Sequence, residues 1–408
     1  MGNIIVGQSG GPTAVINSSL AGVYYTAKDC GSGKVYGMLN GIKGLLEGRY
    51  VDLSLHIRDN LDVEVLRRTP SSFLGSCRYK LPHHHENEEV FAKIFDILKK
   101  LEIECFFYIG GNDSMDTIMK LSKYAAEVNS PIRFIGVPKT IDNDLAVTDH
   151  SPGFGSAAKY IGTTMKEVIR DGVVYGGNQI NIVEIMGRHA GWLTGAAALS
   201  AGEDCEGADM IFMPETPFCF EGFYERINNL NNRGKKSLVI AVSEGIKLEN
   251  GTFVCEYLSQ GEKATDAFGH VSLGGTAHVL ANLVSEKFKA KTRAIELSIL
   301  QRAASHIASR TDNDEAFIAG GHAVKGAFEG KTGMTVVFER VSENPYTIKT
   351  ALVPVEMIAN VEKKVPAAWI NEADATVSQE MVDYMRPLIQ GELSQIMVGG
   401  LPRHLILK

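Results

Sequence analysis

Short apolar runs, each closed by a glycine-rich turn and followed by a helix-like pattern, recur along the first half of the chain. They are NIIVG at 3–7, CFFYIGG at 105–111, IRFIGVP at 132–138 and INIVEIMG at 180–187. Runs this short, bounded by turn signals, fit strands buried on both faces. DMIFMP at 209–214 and KSLVIAVSEG at 236–245 continue the theme. Strands alternating with helices predict an α/β fold whose mostly parallel sheets are sandwiched by helices. A chain of 408 residues exceeds the roughly 250–300 at which a single core stops growing, so two lobes are expected. No low-complexity linker separates them, which predicts interleaved lobes, and no repeat period points to a solenoid. In such sheets ligands bind beyond the carboxyl ends of the strands, so the chemistry is sought after each apolar run.

Charge and cysteine usage narrow the class. The formal net charge is -7 and no Lys/Arg run is present, which argues against a nucleic-acid binder. Six cysteines, at 30, 77, 105, 205, 219 and 255, form no C-x-x-C pair and fit idle thiols in a reducing cytoplasm. The opening MGNIIVGQSGG has no basic segment before a long apolar one, and no apolar run approaches about 18 residues. Neither export nor a membrane span is expected.

Four post-strand turns carry candidate chemistry. In GQSGGPTAVINSSL, Gly7, Gly10 and Gly11 precede a helical pattern, and backbone N–H groups at such a turn make an anion site, although an ordinary tight turn reads the same way. In IGGNDSMDT, Asp113 stands at the glycine turn, whereas Asp116 lies a turn inside and fits a capping acid. In GVPKTIDNDL, Lys139 precedes Thr140, Asp142, Asn143 and Asp144. One of these carboxylates suits a general base and the other a metal or a positioning role, with Lys139 supplying fixed charge for phosphoryl oxygens. In IVEIMGRHAGW, Arg188 emerges where bidentate recognition of a phosphate or hydroxyl competes with a surface salt bridge. Arg78, Arg293 and Arg302 are further cations that would individually pass for surface residues.

Three motifs mislead. GAFEGKTG at 326–333 lacks P-loop spacing and a preceding strand, and GFGSAA at 153–158 follows a polar loop instead of a strand. The triplet His83, His84 and His85 fits a solvated loop, since three adjacent residues do not all converge on one ion.

Taken in order, SGGPTAVIN, GSCR, GGNDS, PKTIDND, MGR, SEG and the arginine pair resemble the phosphofructokinase A superfamily, from about Asn3 to about Arg340. The resemblance implies two α/β lobes: 1–155 plus about 301–350 for the phosphoryl donor, and 156–300 plus about 351–408 for fructose 6-phosphate. It implies Asp142 as the base for the sugar 1-hydroxyl, with Thr140 and Ile141 beside it and Asp144 supporting Mg²⁺ or the base. Met186, Gly187, Arg188 and Glu244 would hold the sugar, and Arg293 and Arg302 would clasp its 6-phosphate, Arg293 reaching in from a neighbouring subunit of a homodimer or homotetramer. Gly11, Arg78 and Gly111 would meet the donor's phosphates.

The donor follows from Asp113 and Lys139. Relatives that use ATP carry glycine at both positions, whereas members with an acid and a lysine use inorganic pyrophosphate. A carboxylate about 4 Å from the α-phosphate of a nucleotide costs on the order of 4 kcal/mol at an effective dielectric near 20, roughly a thousandfold in affinity. The implied reaction is reversible transfer from Mg²⁺-pyrophosphate to fructose 6-phosphate. An ATP-dependent enzyme of the same fold and a non-catalytic sugar-phosphate sensor are the rival readings. Three positions depart from the family: Asn112 replaces a magnesium-binding aspartate, so metal contact there would run through water, Ile299 replaces a sugar-phosphate histidine, and Gln179 replaces a cross-subunit arginine.

Overall fold

A computed structural model describes residues 2–257 and 274–407. Its main strands are β1 (Asn3–Gln8), β2 (Val35–Met38), β3 (Tyr50–Asp52), β4 (Ile103–Gly110), β5 (Arg133–Pro138), β6 (Gln179–Ile185), β7 (Met210–Phe212), β8 (Ser237–Ser243), β9 (Lys291–Glu296), β10 (Met334–Glu343) and β11 (Tyr346–Pro354). The chain forms two compact units, the first from Met1–Ser156, Arg302–Glu362 and Gln390–Lys408, the second from Ala157–Gln301 and Lys363–Ile389.

In the first unit the strand order is β11-β10-β5-β4-β1-β2-β3. The central strands β10, β5, β4, β1 and β2 pair in parallel, and the edge strands β3 and β11 run antiparallel to their neighbours. The apolar runs sort their side chains by the two-residue period of a strand. Ile4, Val6, Phe107, Ile109, Ile135 and Val137 join one buried cluster, together with Leu20, Val23, Ala319 and Ala323 of the helices Ile16–Asp29 and Arg310–Phe328. Ile5, Phe106, Tyr108 and Phe134 join the other, with Phe91, Ile94 and Leu98 of the helix Glu88–Lys100 and Met115, Ile118 and Leu121 of the helix Asn112–Glu127. Burial on both faces explains why these strands read as unbroken apolar runs. The helices Ile16–Asp29 and Arg310–Phe328 meet backbone to backbone: a Cβ on Gly22 would lie 2.0 Å from the Phe317 carbonyl oxygen, and one on Gly320 would lie 2.1 Å from that of Ser19.

The second unit holds a four-stranded parallel sheet ordered β7-β8-β6-β9 over its own apolar cluster, which includes Ile180, Ile182, Leu238, Ile240, Val242 and Leu280. The expectation that 351–408 would belong to this unit needs correcting, because only Lys363–Ile389 of that stretch does. The reason is local. β11 pairs along its whole length with β10, and the terminal segment is tied back by Leu405 and Leu407, which pack on the first unit's core, and by the Leu405 N–H donating to Thr69 Oγ1 (2.9 Å).

The segment after β5 is clamped to β10 by a buried polar network. Thr148 Oγ1 accepts from the Phe338 N–H (2.9 Å) and the Asp149 N–H donates to the Phe338 carbonyl (2.9 Å). His150, 1% exposed, lies between Asp149 (Nδ1 to Oδ1, 2.8 Å) and Glu315 (Nε2 to Oε2, 2.7 Å), and its ring stacks on Phe338. Arg340 pairs with Asp149 at 2.9 Å, and the Tyr346 hydroxyl donates to Glu315 Oε1 at 2.8 Å. Burial opposes a charge on His150, but the Glu315 charge and the bonds to Asp149 and Glu315 outweigh it, raising its pKa to about 9. A pKa raised in the folded state stabilises it fully below the ordinary value of about 6.5, and that contribution is lost as pH rises through about 9. The stability gap between the parent and His150→Gln, measured by chemical denaturation, should therefore shrink by about 1 kcal/mol or more between about pH 6.5 and pH 9.5. A gap of equal size at both pH values would contradict a charged imidazole in this network.

Candidate functional site

The turn after β1 is held by side chains that the apolar pattern does not reveal. Gln8 donates to Asn17 Oδ1 (2.9 Å) and accepts from the Leu74 N–H (2.9 Å), and Ser76 Oγ donates to the Gly10 carbonyl (2.6 Å). The segment leading to Arg78 is thereby fastened beside Gly10 and Gly11, and the Gly10 N–H donates to the Cys77 carbonyl (3.2 Å). Gly10 has φ +75, where a Cβ would be strained and would meet Lys139 Nζ at 3.2 Å.

Lys139 follows directly on β5, its N–H donating to the Gly110 carbonyl (3.0 Å) and its Nζ to the Gly11 carbonyl (2.6 Å). Only 2% of the residue is exposed. Burial lowers its pKa to about 8; Asp142 and Asp144 resist the shift, and the Arg302 and Arg78 charges add to it. Arg302 in turn is pulled down by burial and by Arg78, against Asp142. A Cβ on Gly11 would stand 3.6 Å from an Arg302 guanidinium nitrogen. Gly11, Arg78, Lys139, Asp142, Asp144 and Arg302 thus lie together in the first unit. Arg293, its expected companion from a neighbouring subunit, lies in β9 of the second unit.

The loop after Lys139 alternates. Ile141 (7% exposed), Asn143 (0%) and Leu145 (0%) turn inward, leaving Asp142 and Asp144 partly exposed between them. Asn143 takes a left-handed φ of 54 and its Oδ1 accepts from the Ser151 N–H (3.0 Å), while Thr140 Oγ1 accepts from the Asp142 N–H (3.1 Å). Two carboxylates are therefore presented by an apolar and amide anchor beneath them. Oxygen donors of this kind fit Mg²⁺, a hard cation that keeps several of its waters.

Asp113 is exposed in the first turn of the helix Asn112–Glu127, one residue beyond Asn112 and two beyond Gly111. A Cβ on Gly111 would lie 3.6 Å from the Lys139 carbonyl oxygen, so the two post-strand turns adjoin. Asp116 is not a helix cap. It is buried, ion-paired with Lys120 at 2.6 Å and accepts from the Asn360 side chain at 3.1 Å. Asn112, in the amide orientation that its surroundings satisfy, donates to the Ile358 (2.9 Å) and Val361 (3.3 Å) carbonyls. Its departure from aspartate thus has a structural account, since a carboxylate cannot donate to those two carbonyls. At GFGSAA the start of the helix Phe154–Gly172 is met by a carboxylate of the protein itself, because Asp312 accepts from the Gly153 and Ser156 N–H groups (both 2.8 Å).

In the second unit Met186, Gly187 and Arg188 follow β6, and Glu244 follows β8. Gly187 has φ +141 and a Cβ there would lie 2.7 Å from the Ala190 carbonyl oxygen, while one on Gly245 would lie 2.1 Å from that of Arg188. Glu244 Oε1 accepts from the Gly187 N–H (3.4 Å), and burial raises its pKa against that bond and the Arg188 charge. Glu184, absent from the sequence-based candidates, is 5% exposed and accepts from the Ala277 N–H (2.8 Å). Burial, with the Glu296 and Glu244 charges, pushes it up to about 7. Its position inside an apolar run was the only available signal. One guanidinium nitrogen of Arg293 is buried with no hydrogen-bond partner among the described residues. Gln179, at the start of β6, bonds to Asn181 (3.4 Å), and Ile299 is 58% exposed.

Residues 3–309 match the Phosphofructokinase family. A pyrophosphate–fructose 6-phosphate 1-phosphotransferase of Methylococcus capsulatus is 38% identical over 99% of this chain and 96% of its own length. One of Xanthomonas campestris is 38% identical over 100% of this chain and 96% of its own. The crystal structure of a pyrophosphate-dependent phosphofructokinase from Nitrosospira multiformis superposes with a TM-score of 0.89 at 35% identity, over 100% of this chain and 96% of that one. With the motifs of both units present and the match running through 307 consecutive positions, 3–309, this chain belongs to the phosphofructokinase family.

Proposed function

We propose that this protein transfers a phosphoryl group from inorganic pyrophosphate to the 1-hydroxyl of fructose 6-phosphate, giving fructose 1,6-bisphosphate and phosphate, in the cytoplasm. The observation that carries the reading is the buried Lys139 ammonium, held 2.6 Å from the Gly11 carbonyl and flanked by Arg78 and Arg302, beside the turn that bears Asp113. Three cations suit a donor whose charge is concentrated on two phosphoryl groups. Asp113 disfavours the additional phosphate of a nucleotide by like-charge repulsion, reduced by solvent because the residue is exposed. The named activity of the relatives agrees with this donor. The rival sensor reading loses its motive, because Asn112 has a structural task in anchoring residues 358–361.

In the proposed reaction Asp142 takes the proton of the 1-hydroxyl as that oxygen bonds to phosphorus. The bond to the bridging oxygen breaks in line, and inorganic phosphate leaves with its electron pair. Lys139, Arg78 and Arg302 meet the phosphoryl charge. Asp144 would hold Mg²⁺, which would neutralise charge on the phosphoryl oxygens when bound. Thr140 orients the Asp142 backbone through its 3.1 Å bond. Met186, Gly187, Arg188 and Glu244 hold the sugar, Ile141 adjoins it, and Arg293 serves the 6-phosphate through a nitrogen that has no protein partner among the described residues. The assembly is a homodimer or homotetramer with sites shared between subunits, as Arg293 reaching across would require.

Asp142→Asn should leave fructose 6-phosphate binding nearly intact and lower kcat by about 10² to 10⁴, the usual worth of a positioned base. Turnover within a few-fold of the parent would remove Asp142 from the mechanism. A second expectation concerns pH. Lys139 in the free protein loses its proton above about 8, so kcat/KM for pyrophosphate should fall as pH rises through that value, approaching about tenfold per unit. Bound pyrophosphate favours the charged ammonium, so kcat should hold to higher pH than kcat/KM. A kcat/KM profile that stays flat across this range would show that the Lys139 charge does not govern donor binding.

A further inference from the structure

The segment after Arg78 runs through Leu81 to the histidine triplet, and it is fastened to the helix Asn112–Glu127 by Lys120 Nζ donating to the Leu81 carbonyl (2.8 Å). Adjacent side chains of an extended segment point apart. Here the chain turns instead, with the N–H groups of Glu86 (2.9 Å) and Asn87 (3.2 Å) both donating to the His83 carbonyl. The turn brings the rings of His84 and His85 to a centroid distance of 3.7 Å, closer than the roughly 4.5–7 Å usual for packed rings. Glu127, the last residue of the helix, completes the group: one ligand atom each from His84, His85 and Glu127 lie within 4.8 Å of one another.

Two features distinguish this group from a solvated loop. His84 Nε2 lies 2.8 Å from Glu127 Oε2, and this buried ring nitrogen has no hydrogen-bond partner among the described residues. Such a nitrogen is costly unless something accepts its lone pair or its proton. The His84 ring is also held in place by Phe91 and Tyr124, at centroid distances of 5.9 and 5.8 Å, so its orientation is set before any ligand arrives.

We propose that His84, His85 and Glu127 form a binding site for a borderline divalent transition cation, Zn²⁺ by preference. Two imidazoles and one carboxylate with a fourth position open to water make a set that Zn²⁺ takes readily, at bond lengths of about 2.0–2.2 Å. Ligand atoms of such a tetrahedral site stand about 3.4 Å apart, so the observed spread of up to 4.8 Å closes with small side-chain rotations. Imidazole disfavours Mg²⁺, which seeks oxygen ligands, so the reaction's metal and this one would not compete. The site lies in the first unit, joining the segment that carries Arg78 to the end of the helix that begins beside Asp113. Of the triplet, His83 takes no part: it is exposed, and its N–H donates to Glu86 (3.1 Å).

The test is isothermal titration of the full, tag-free protein with Zn²⁺ in buffer containing Mg²⁺. The parent should bind one Zn²⁺ per chain at this site with micromolar affinity. His85→Ala and Glu127→Gln, both at exposed positions, should each weaken binding by about tenfold or more, and His83→Ala should leave it unchanged. Equal melting temperatures without zinc would confirm that the variants fold. Co²⁺ in place of Zn²⁺ should give the visible absorption of a tetrahedral site in the parent and lose it in His85→Ala. The proposal is overturned if the parent shows no stoichiometric binding, or if both variants keep the parent's affinity within about twofold.

Discussion

A lysine buried at the end of a strand is the constraint around which the first unit is arranged. Removing an ammonium from water is costly unless partners replace the lost hydration. The Gly11 carbonyl at 2.6 Å and the charges of Asp142 and Asp144 supply that replacement. Each partner then imposes its own demand on the chain. Gly10 favours glycine, because φ +75 strains any residue that carries a Cβ, and that Cβ would stand 3.2 Å from Lys139 Nζ. The Asp142 to Asp144 loop must expose alternate residues while Ile141, Asn143 and Leu145 are buried. Arg78 and Arg302 oppose the lysine's proton, so the arrangement holds a cation whose charge is easily lost and is recovered when an anionic ligand arrives.

The loop stays in place because both of its ends are tied to the interior, the near end through Lys139 to Gly110 and Gly11. Thr148, Asp149 and His150 are tied to Phe338, Glu315 and Arg340, residues of β10 and of the helix Arg310–Phe328. The interior of the fold therefore bears the loop's position, and the buried Ile141, Asn143 and Leu145 hold the turn that leaves Asp142 and Asp144 partly exposed. In the second unit the same economy recurs: Glu244 and Gly187 are joined by a hydrogen bond across the ends of two neighbouring strands, and Glu184 meets the start of the helix Thr276–Phe288.

The strands that carry these sites were legible because burial on both faces leaves uninterrupted apolar runs. β9, reading KTRAIE, was not, since it is partly exposed and mixes charges with apolar residues. The return of the C-terminal segment to the first unit was equally hidden, because it rests on scattered contacts such as those of Leu405 and Leu407. Within the site, the crowding of Lys139, Asp142 and Asp144 into six positions was readable from order alone. The tasks of Asn112, Asp116, Asp312 and His150 were not, because most of their partners lie more than a hundred residues away in the chain. The nearness of Arg302 to Gly11, Arg78 and Lys139 is likewise not readable from order alone, because it lies more than a hundred residues beyond each of them. The histidine triplet reads as a solvated loop because three adjacent residues do not all converge on one ion, and the turn that brings two of its members beside Glu127 leaves no apolar signature.

The central claim is that Lys139 and Asp113 select pyrophosphate over a nucleotide as phosphoryl donor. Its most direct test is the steady-state rate of fructose 1,6-bisphosphate formation by the unmodified protein, with Mg²⁺ and fructose 6-phosphate, comparing kcat/KM for pyrophosphate with that for ATP. The account predicts a preference for pyrophosphate of about a hundredfold or more, below the roughly thousandfold ceiling set by an unscreened 4 kcal/mol repulsion. Equal use of the two donors, or a preference for ATP, would contradict it.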